Sequence, residues 1–432
     1  MGCVLGVCAA QAACCCASSA CSLCCACCPS SVSSVMTRLM YLFLIIVGIL
    51  LSSIFLIPSV KEALAKKPPD DIPFISQKSY CQYITNADCA DVMGFESVYR
   101  VWFAFIMFFL LMMILTVGVK SSKDCRGSLQ NGFWFFKLLI IAGIMVGAFF
   151  IPRGDFETAW LYIGLIGGVL FIFIQVVYLI DFAHSWTESW QDNAEDNKCY
   201  AFGFLFCSFI MYGFSIAGVV SMYYYFTQSD GCHLNKALIS INLILCVIVS
   251  IIAVLPAIQE ANPRSGLLQA GMVTLYVTYL TFSAVSNVPT STCPKGIETI
   301  PGGGTSMMVV GIVIAVLTIF VVSLKSSADG MGTPITDEEA PVQKVSDDEE
   351  EGVQYNYGVF HVLCLLASLY IMMVMTNWLK PETVGNGYSF QPNLASVWVQ
   401  IVSSWLCLVL YVWTLIAPIA CPDRQFSWSS NE

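Results

Sequence analysis

The chain has 432 residues, of which 57% are hydrophobic and only 11% charged, with a formal net charge of −10. A soluble protein carries about a quarter of its residues as charges, so most of this exterior is built for something other than water. The acidic balance also disfavours nucleic acid as a partner, because phosphate contacts need clustered Lys and Arg.

Ten runs of roughly twenty mostly apolar residues predict membrane spans at about 36–57, 99–119, 133–151, 159–182, 200–226, 234–255, 268–286, 306–324, 359–379 and 396–419. Lipid offers no partner for backbone N–H and C=O groups, so each span is expected to be helical and the fold all-α. The chain divides accordingly into a Cys-rich segment 1–35, spans one to three in 36–158 with a long loop 58–98, a long fourth helix 159–190, spans five to eight in 191–324, an acidic loop 325–357, and spans nine and ten with a short tail in 358–432. An even number of spans puts both termini on one side.

Cys3, Cys8, Cys14, Cys15, Cys16, Cys21, Cys24, Cys25, Cys27 and Cys28 crowd the first segment, with no basic stretch before an apolar one, so no secretory signal is expected. Met1-Gly2 begins a poor myristoylation match, since residue 6 is Gly. The clustered thiols suggest S-palmitoylation, or else Cys used as a small hydrophobe on an extended first helix. They lack the regular pairs of a metal site. With three His (His184, His233, His361) and no His-Glu-x-x-His string, no metal or other cofactor is expected.

Glu96 and Arg100 form an i,i+4 pair at the start of the second span, read as a structural ion pair. Gly143/Gly147 and Gly164/Gly168 read as close helix contacts. The fourth run continues from Ile180 through Asp181-Phe182-Ala183-His184-Ser185-Trp186-Thr187-Glu188 without Pro or Gly. Gln175, Asp181, His184 and Glu188 fall within four turns, and the last three share a face. That face could hold a lipid phosphate or amine or relay protons, or it could be a polar helix end anchored by Trp186 and Trp190. Asn242 is an isolated amide in the sixth span. In the seventh, Thr274, Thr278 and Thr281 make one stripe and Tyr276, Tyr279, Ser283 and Ser286 another, so this helix should be packed inside protein or beside a wet groove. The stripes serve either a headgroup path or interhelical hydrogen bonds.

Cys81 and Cys89 lie in the first loop, Cys232 in the fifth and Cys293 in the seventh, all on one side by parity. That pattern suits an oxidising compartment, with Cys81–Cys89 and Cys232–Cys293 as candidate disulfides and free thiols as the alternative. Both termini are then cytosolic. The loop 325–357 carries Asp337-Glu338-Glu339 and Asp347-Asp348-Glu349-Glu350-Glu351 and is expected to be disordered, either as a solvated linker or with Ser346 as a phosphorylation candidate. No nucleophile elbow, P-loop or dinucleotide fingerprint appears, so no enzyme is expected.

Several strings resemble the serine incorporator family of eukaryotic membrane proteins. They are Val98-Tyr99-Arg100, Leu179-Ile180-Asp181-Phe182-Ala183-His184-Ser185-Trp186, Ile239-Ser240-Ile241-Asn242-Leu243, Ile258-Gln259-Glu260-Ala261-Asn262-Pro263-Arg264-Ser265-Gly266, Tyr279-Leu280-Thr281-Phe282-Ser283-Ala284, Leu369-Tyr370-Ile371-Met372-Met373 and Ser403-Ser404-Trp405. The tail Cys421-Pro422-Asp423-Arg424-Gln425-Phe426 departs from the family's usual ending. The resemblance implies ten helices in two bundles joined by a long tilted fourth helix, homo-oligomers, and membrane phospholipids held in grooves. It implies energy-independent phospholipid scrambling tied to phosphatidylserine and sphingolipid metabolism. The alternative is a carrier or scaffold that supplies serine to lipid-synthesising enzymes.

Overall fold

The structure, a computed structural model, describes residues 33–57, 59–60, 94–121, 124–151, 155–196, 198–261, 266–289, 293, 300, 303–328, 353–384 and 387–420. In chain order the elements are α1 (Ser34–Leu56), α2 (Phe95–Thr116), α3 (Cys125–Asn131), α4 (Trp134–Phe149), α5 (Asp155–Asp196), α6 (Lys198–Phe226), α7 (His233–Ala253), α8 (Pro256–Ala261), α9 (Leu267–Ser286), α10 (Gly303–Ala328), α11 (Tyr357–Met375), β1 (Lys380–Val384), β2 (Gly387–Gln391) and α12 (Leu394–Ala420).

Among the described residues, nine helices are long and apolar enough to cross a membrane. The expected third span is the exception. It is present as α4, but its 16 residues reach only about 24 Å at 1.5 Å per residue, short of a hydrocarbon core of about 30 Å. Phe133 adopts a left-handed φ of 59° and stays outside the helix, and the Phe150 N–H folds back onto the carbonyls of Gly147 and Ala148. The expected ninth span also overshoots: α11 stops at Met375, and Asn377 and Trp378 turn left-handed at φ 51° and 59°. α10 begins earlier than expected, taking in Gly303 and Gly304.

α5 is an uninterrupted helix of 42 residues, about 63 Å long by the same rise, or roughly twice a hydrocarbon core. Asp155 and Glu157 occupy its first turn, where carboxylates favour the positive helix end. β1 and β2 form an antiparallel hairpin with Lys380 opposite Gln391 and Val384 opposite Gly387. This hairpin is the connection between α11 and α12.

The chain packs as two units, 1–160 with 315–372 and 161–314 with 373–432. The first unit has an aromatic interior that includes Tyr41, Trp102, Phe105, Phe108, Phe109 and Trp134. A Cβ at Gly48 would lie 2.9 Å from the Phe105 ring, so glycine is what lets α1 and α2 meet there. In the second unit α9 is the central helix, packed against α6, α7 and α12. Met222, Phe226, Leu238, Ile239, Val285, Val397 and Ile401 close one end of that core. Beside them the Cys232–Cys293 disulfide ties the start of α7 to the chain after α9, with Cα atoms 4.8 Å apart. α6 turns Phe202, Phe209, Phe214, Val220 and Tyr224 outward. An outward face this apolar belongs against hydrocarbon.

Candidate functional site: the two faces of α9

α9 carries hydroxyls on two stripes, and the structure sends each stripe to a different cavity. The first stripe, Thr274, Thr278 and Thr281, lines a cavity of about 340 Å³ between α6, α7 and α9. Asn242, Tyr212, Ser215, Cys246 and Ser250 line it too, with Val247, Ile251 and Val254 at the lipid-facing side. Most of its polar groups are already engaged; Thr274 Oγ1 is buried without a hydrogen-bond partner among the described residues. Thr278 donates to the Thr274 carbonyl at 2.8 Å and Thr281 to the Val277 carbonyl at 2.7 Å. The Tyr212 hydroxyl donates to Ser250 Oγ at 2.8 Å.

Asn242 is satisfied on both ends of its amide. Nδ2 donates to Thr281 Oγ1 at 2.6 Å and Ser404 Oγ at 3.1 Å, and Oδ1 accepts from Trp405 Nε1 at 2.8 Å. One amide thereby joins α7, α9 and α12. The surface left to a guest in this cavity is therefore mainly apolar, with threonine oxygens as acceptors and few free donors.

The second stripe divides. Tyr276 donates to Gln175 Oε1 of α5 at 3.0 Å, with both side chains buried. Tyr279, Ser283 and Ser286 line a second cavity of about 170 Å³, together with Asn287, Met307 and Met308 of α10, Asn377 and Trp378 after α11, and Phe390 and Gln391 of β2. Non-glycine residues seldom take positive φ, and such positions cluster where a ligand or a tight packing demands them. Here Asn377 and Trp378 are consecutive. A Cβ at Gly168 would stand 2.8 Å from the Trp378 ring, so Gly168 of α5 accommodates an indole. At Gly311 a Cβ would collide with Tyr279 and Val374.

Asp181, His184 and Glu188 are half-buried along α5, flanking the fully buried Ala183 and Thr187. His184 Nε2 is buried with no hydrogen-bond partner among the described residues. None of these three lines either cavity. Gln175, grouped with them by spacing, serves α9 instead. Cys81, Cys89 and Ser346 lie outside the described residues.

In the first unit the Glu96–Arg100 pair is part of a larger group that spacing did not reveal. Arg100 sits 3.5 Å from Glu96 and 3.0 Å from Glu157, all three buried. A second polar centre forms at Gln130. Its amide meets His361 Nε2 at 2.7 Å and Tyr355 at 2.9 Å, and its backbone carbonyl accepts from Lys137 Nζ at 2.9 Å and Tyr41 at 3.1 Å. Lys137 Nζ also lies 3.8 Å from the centroid of the Trp134 ring and 4.7 Å from that of Tyr41. A lone Lys inside the apolar run Trp134–Phe149 was the available signal. Among the described residues no cluster of three metal-ligating side chains occurs.

Helices of this length and outward apolarity define an all-α, multi-pass membrane protein. Two stretches of the chain, 13–333 and 321–424, match the family model "Serine incorporator (Serinc)". A probable serine incorporator of Nematostella vectensis is 42% identical over 469 residues, covering 99% of this chain and 100% of that protein. Serine incorporator 2 of Mus musculus is 42% identical over 425 residues, 91% of this chain and 93% of its own length. Serine incorporator 3 of Bos taurus is 38% identical over 446 residues with the same coverage. The chain belongs to the serine incorporator family.

Proposed function

We propose that this family member is a non-catalytic, lipid-handling membrane protein that lets phospholipids, phosphatidylserine among them, cross between leaflets without an energy source. The observation that carries this reading is the 340 Å³ cavity between α6, α7 and α9. Its floor carries hydroxyl oxygens and its outer edge, at Val247 and Ile251, is exposed where lipid would stand. A hydrocarbon chain can enter such a space without leaving apolar surroundings. Moving a polar headgroup through hydrocarbon is costly unless polar groups line its way. The half-buried Asp181, His184 and Glu188 face of α5 is the assignment for headgroup contact. In this reading the protein lies in the secretory pathway or plasma membrane with both termini cytosolic, works as a homo-oligomer, and feeds phosphatidylserine and sphingolipid metabolism.

The test is movement of fluorescent phospholipid in proteoliposomes that contain only this protein and no nucleotide, beside uptake of radiolabelled serine in the same vesicles. Lipid movement without serine uptake is expected. Val247→Trp, which fills the cavity from its exposed edge, should slow that movement about tenfold, equivalent to about 1.4 kcal/mol on the barrier. Serine uptake with no lipid movement would replace this reading with a serine carrier. Neither activity would replace it with a scaffold for lipid-synthesising enzymes.

A further inference from the structure

The 170 Å³ cavity on the other stripe of α9 has a different chemistry. Three carboxamides (Asn287, Asn377, Gln391) and three hydroxyls (Tyr279, Ser283, Ser286) line it. No Lys, Arg, His, Asp or Glu is among its described lining residues. Helix ends approach it, and several of their carbonyls are occupied. The Ser283 carbonyl accepts from Ser286 Oγ and Asn287 Nδ2, and that of Ala284 from the Asn287 N–H. After α11, the carbonyls of Met373 and Val374 accept from the N–H groups of Trp378 and Asn377. A cation finds no carboxylate here, and an anion finds no ammonium or guanidinium. Either would be desolvated without a charged partner, which is costly.

An uncharged guest rich in hydroxyls meets the opposite situation. Carboxamides and hydroxyls both donate and accept, as adjacent alcohol groups on a ring require. The Asn377 carboxamide makes no hydrogen bond to another described residue, and its backbone is held at φ 51° beside the cavity. Trp378, Phe390 and the two methionines add apolar surface for the C–H faces of a ring. The volume equals the share of about six waters at roughly 30 Å³ each, which suits one ring. This end of α9 leads to Cys293 and its disulfide with Cys232. Disulfides persist on the oxidising side of a membrane, and that is the side on which sugar-bearing lipid headgroups are displayed.

We propose that the cavity formed by the end of α9, α10, the Asn377–Trp378 turn and β2 binds an uncharged, polyhydroxylated ring the size of one hexose, carried by a glycolipid or free in solution. The inference does not rest on lipid crossing, and its test reads binding alone.

The experiment is native mass spectrometry of the full chain from nanodiscs doped with a monohexosylceramide, with the matching sugar-free ceramide, or with phosphatidylserine. Retention of the hexosylceramide should exceed that of the other two about tenfold, the order of effect of one or two net hydrogen bonds to the ring. Asn377→Gly keeps the left-handed backbone while removing the amide, and Gln391→Ala alters an exposed position. Both should cut that retention, Asn377→Gly the more. Competition by methyl glucoside would assign recognition to the ring alone; retention without competition would assign it to ring and chain together, and both results support the site. Equal retention of ceramide and hexosylceramide, displacement by L-serine, or retention unchanged in both variants while size-exclusion profiles stay native would overturn it.

Discussion

The two units solve the same problem, polar groups inside a membrane protein, in different ways. The first buries ionisable side chains: Arg38, Glu96, Arg100, Lys137 and Glu157 are all buried, with ion pairs around Arg100 and aromatic rings beside Lys137. In the second, among the described residues, every fully buried polar side chain is neutral, with Gln175, Asn242, Gln269, Gln400 and a set of Ser and Thr. Both cavities described above lie in that second unit. A buried charge is expensive unless its partners are held in place, so charge suits packing that stays fixed. Neutral dipoles satisfied locally leave the neighbouring space open to a guest. Polarity by itself therefore does not mark the site; the interior richer in charge is the one that looks structural.

The comparison can be broken first at Arg100. Arg100→Leu should destabilise the protein by about 3–5 kcal/mol, because two buried carboxylates lose their shared cation; denaturant or thermal unfolding in detergent reads this. A loss under about 1 kcal/mol would mean that charge is not what holds the first unit. In the second unit, Gly168→Ala should cost about 1–3 kcal/mol by overpacking against Trp378, and a shift in indole fluorescence should accompany it. Asn242→Leu should cost about 1–2 kcal/mol, since hydrogen bonds between membrane helices are individually modest.

The smallest effect lies outside the spans. Asp124 caps α3 by accepting from the Arg126 N–H at 3.0 Å, and it also pairs with the Arg126 guanidinium at 2.8 Å. The side-chain hydrogen bonds from Arg126 hold the Asp124 carboxyl below its ordinary range. A carboxyl depressed in the folded state stabilises it above the unfolded value of about 3.9, and that contribution fades as pH falls through the lower folded value. Asp124→Asn keeps a side-chain oxygen able to cap α3 and removes only a partly exposed ion pair, so it should cost under about 0.5 kcal/mol near neutrality, with the gap to the wild type closing below about pH 4.

The membrane architecture was legible because a run of roughly twenty apolar residues has few other uses. The two stripes of α9 were legible for the same kind of reason: the helical period sorts Thr274, Thr278 and Thr281 from Tyr279, Ser283 and Ser286. Their destinations were not. The partner of Tyr276 is Gln175, 101 positions away, and the second cavity draws on α9, α10, the turn after α11 and β2. No local pattern announces such a meeting. Glu157 was missed as a partner of Arg100 because it stands 57 positions along the chain, at the start of a different helix. The hairpin, by contrast, could have been read. Gly385-Asn386 between Thr383-Val384 and Tyr388-Ser389-Phe390 is a two-residue turn signal flanked by strand-forming residues.

α9 is a partition with a cavity on each side. A wall of that kind cannot yield toward one chamber without taking space from the other. Linkage then makes the effect reciprocal: whatever factor an occupant of the α6–α7 side imposes on affinity at the Asn377 side, the Asn377-side occupant must impose in return. Two ligands that never touch would report on each other through the position of one helix.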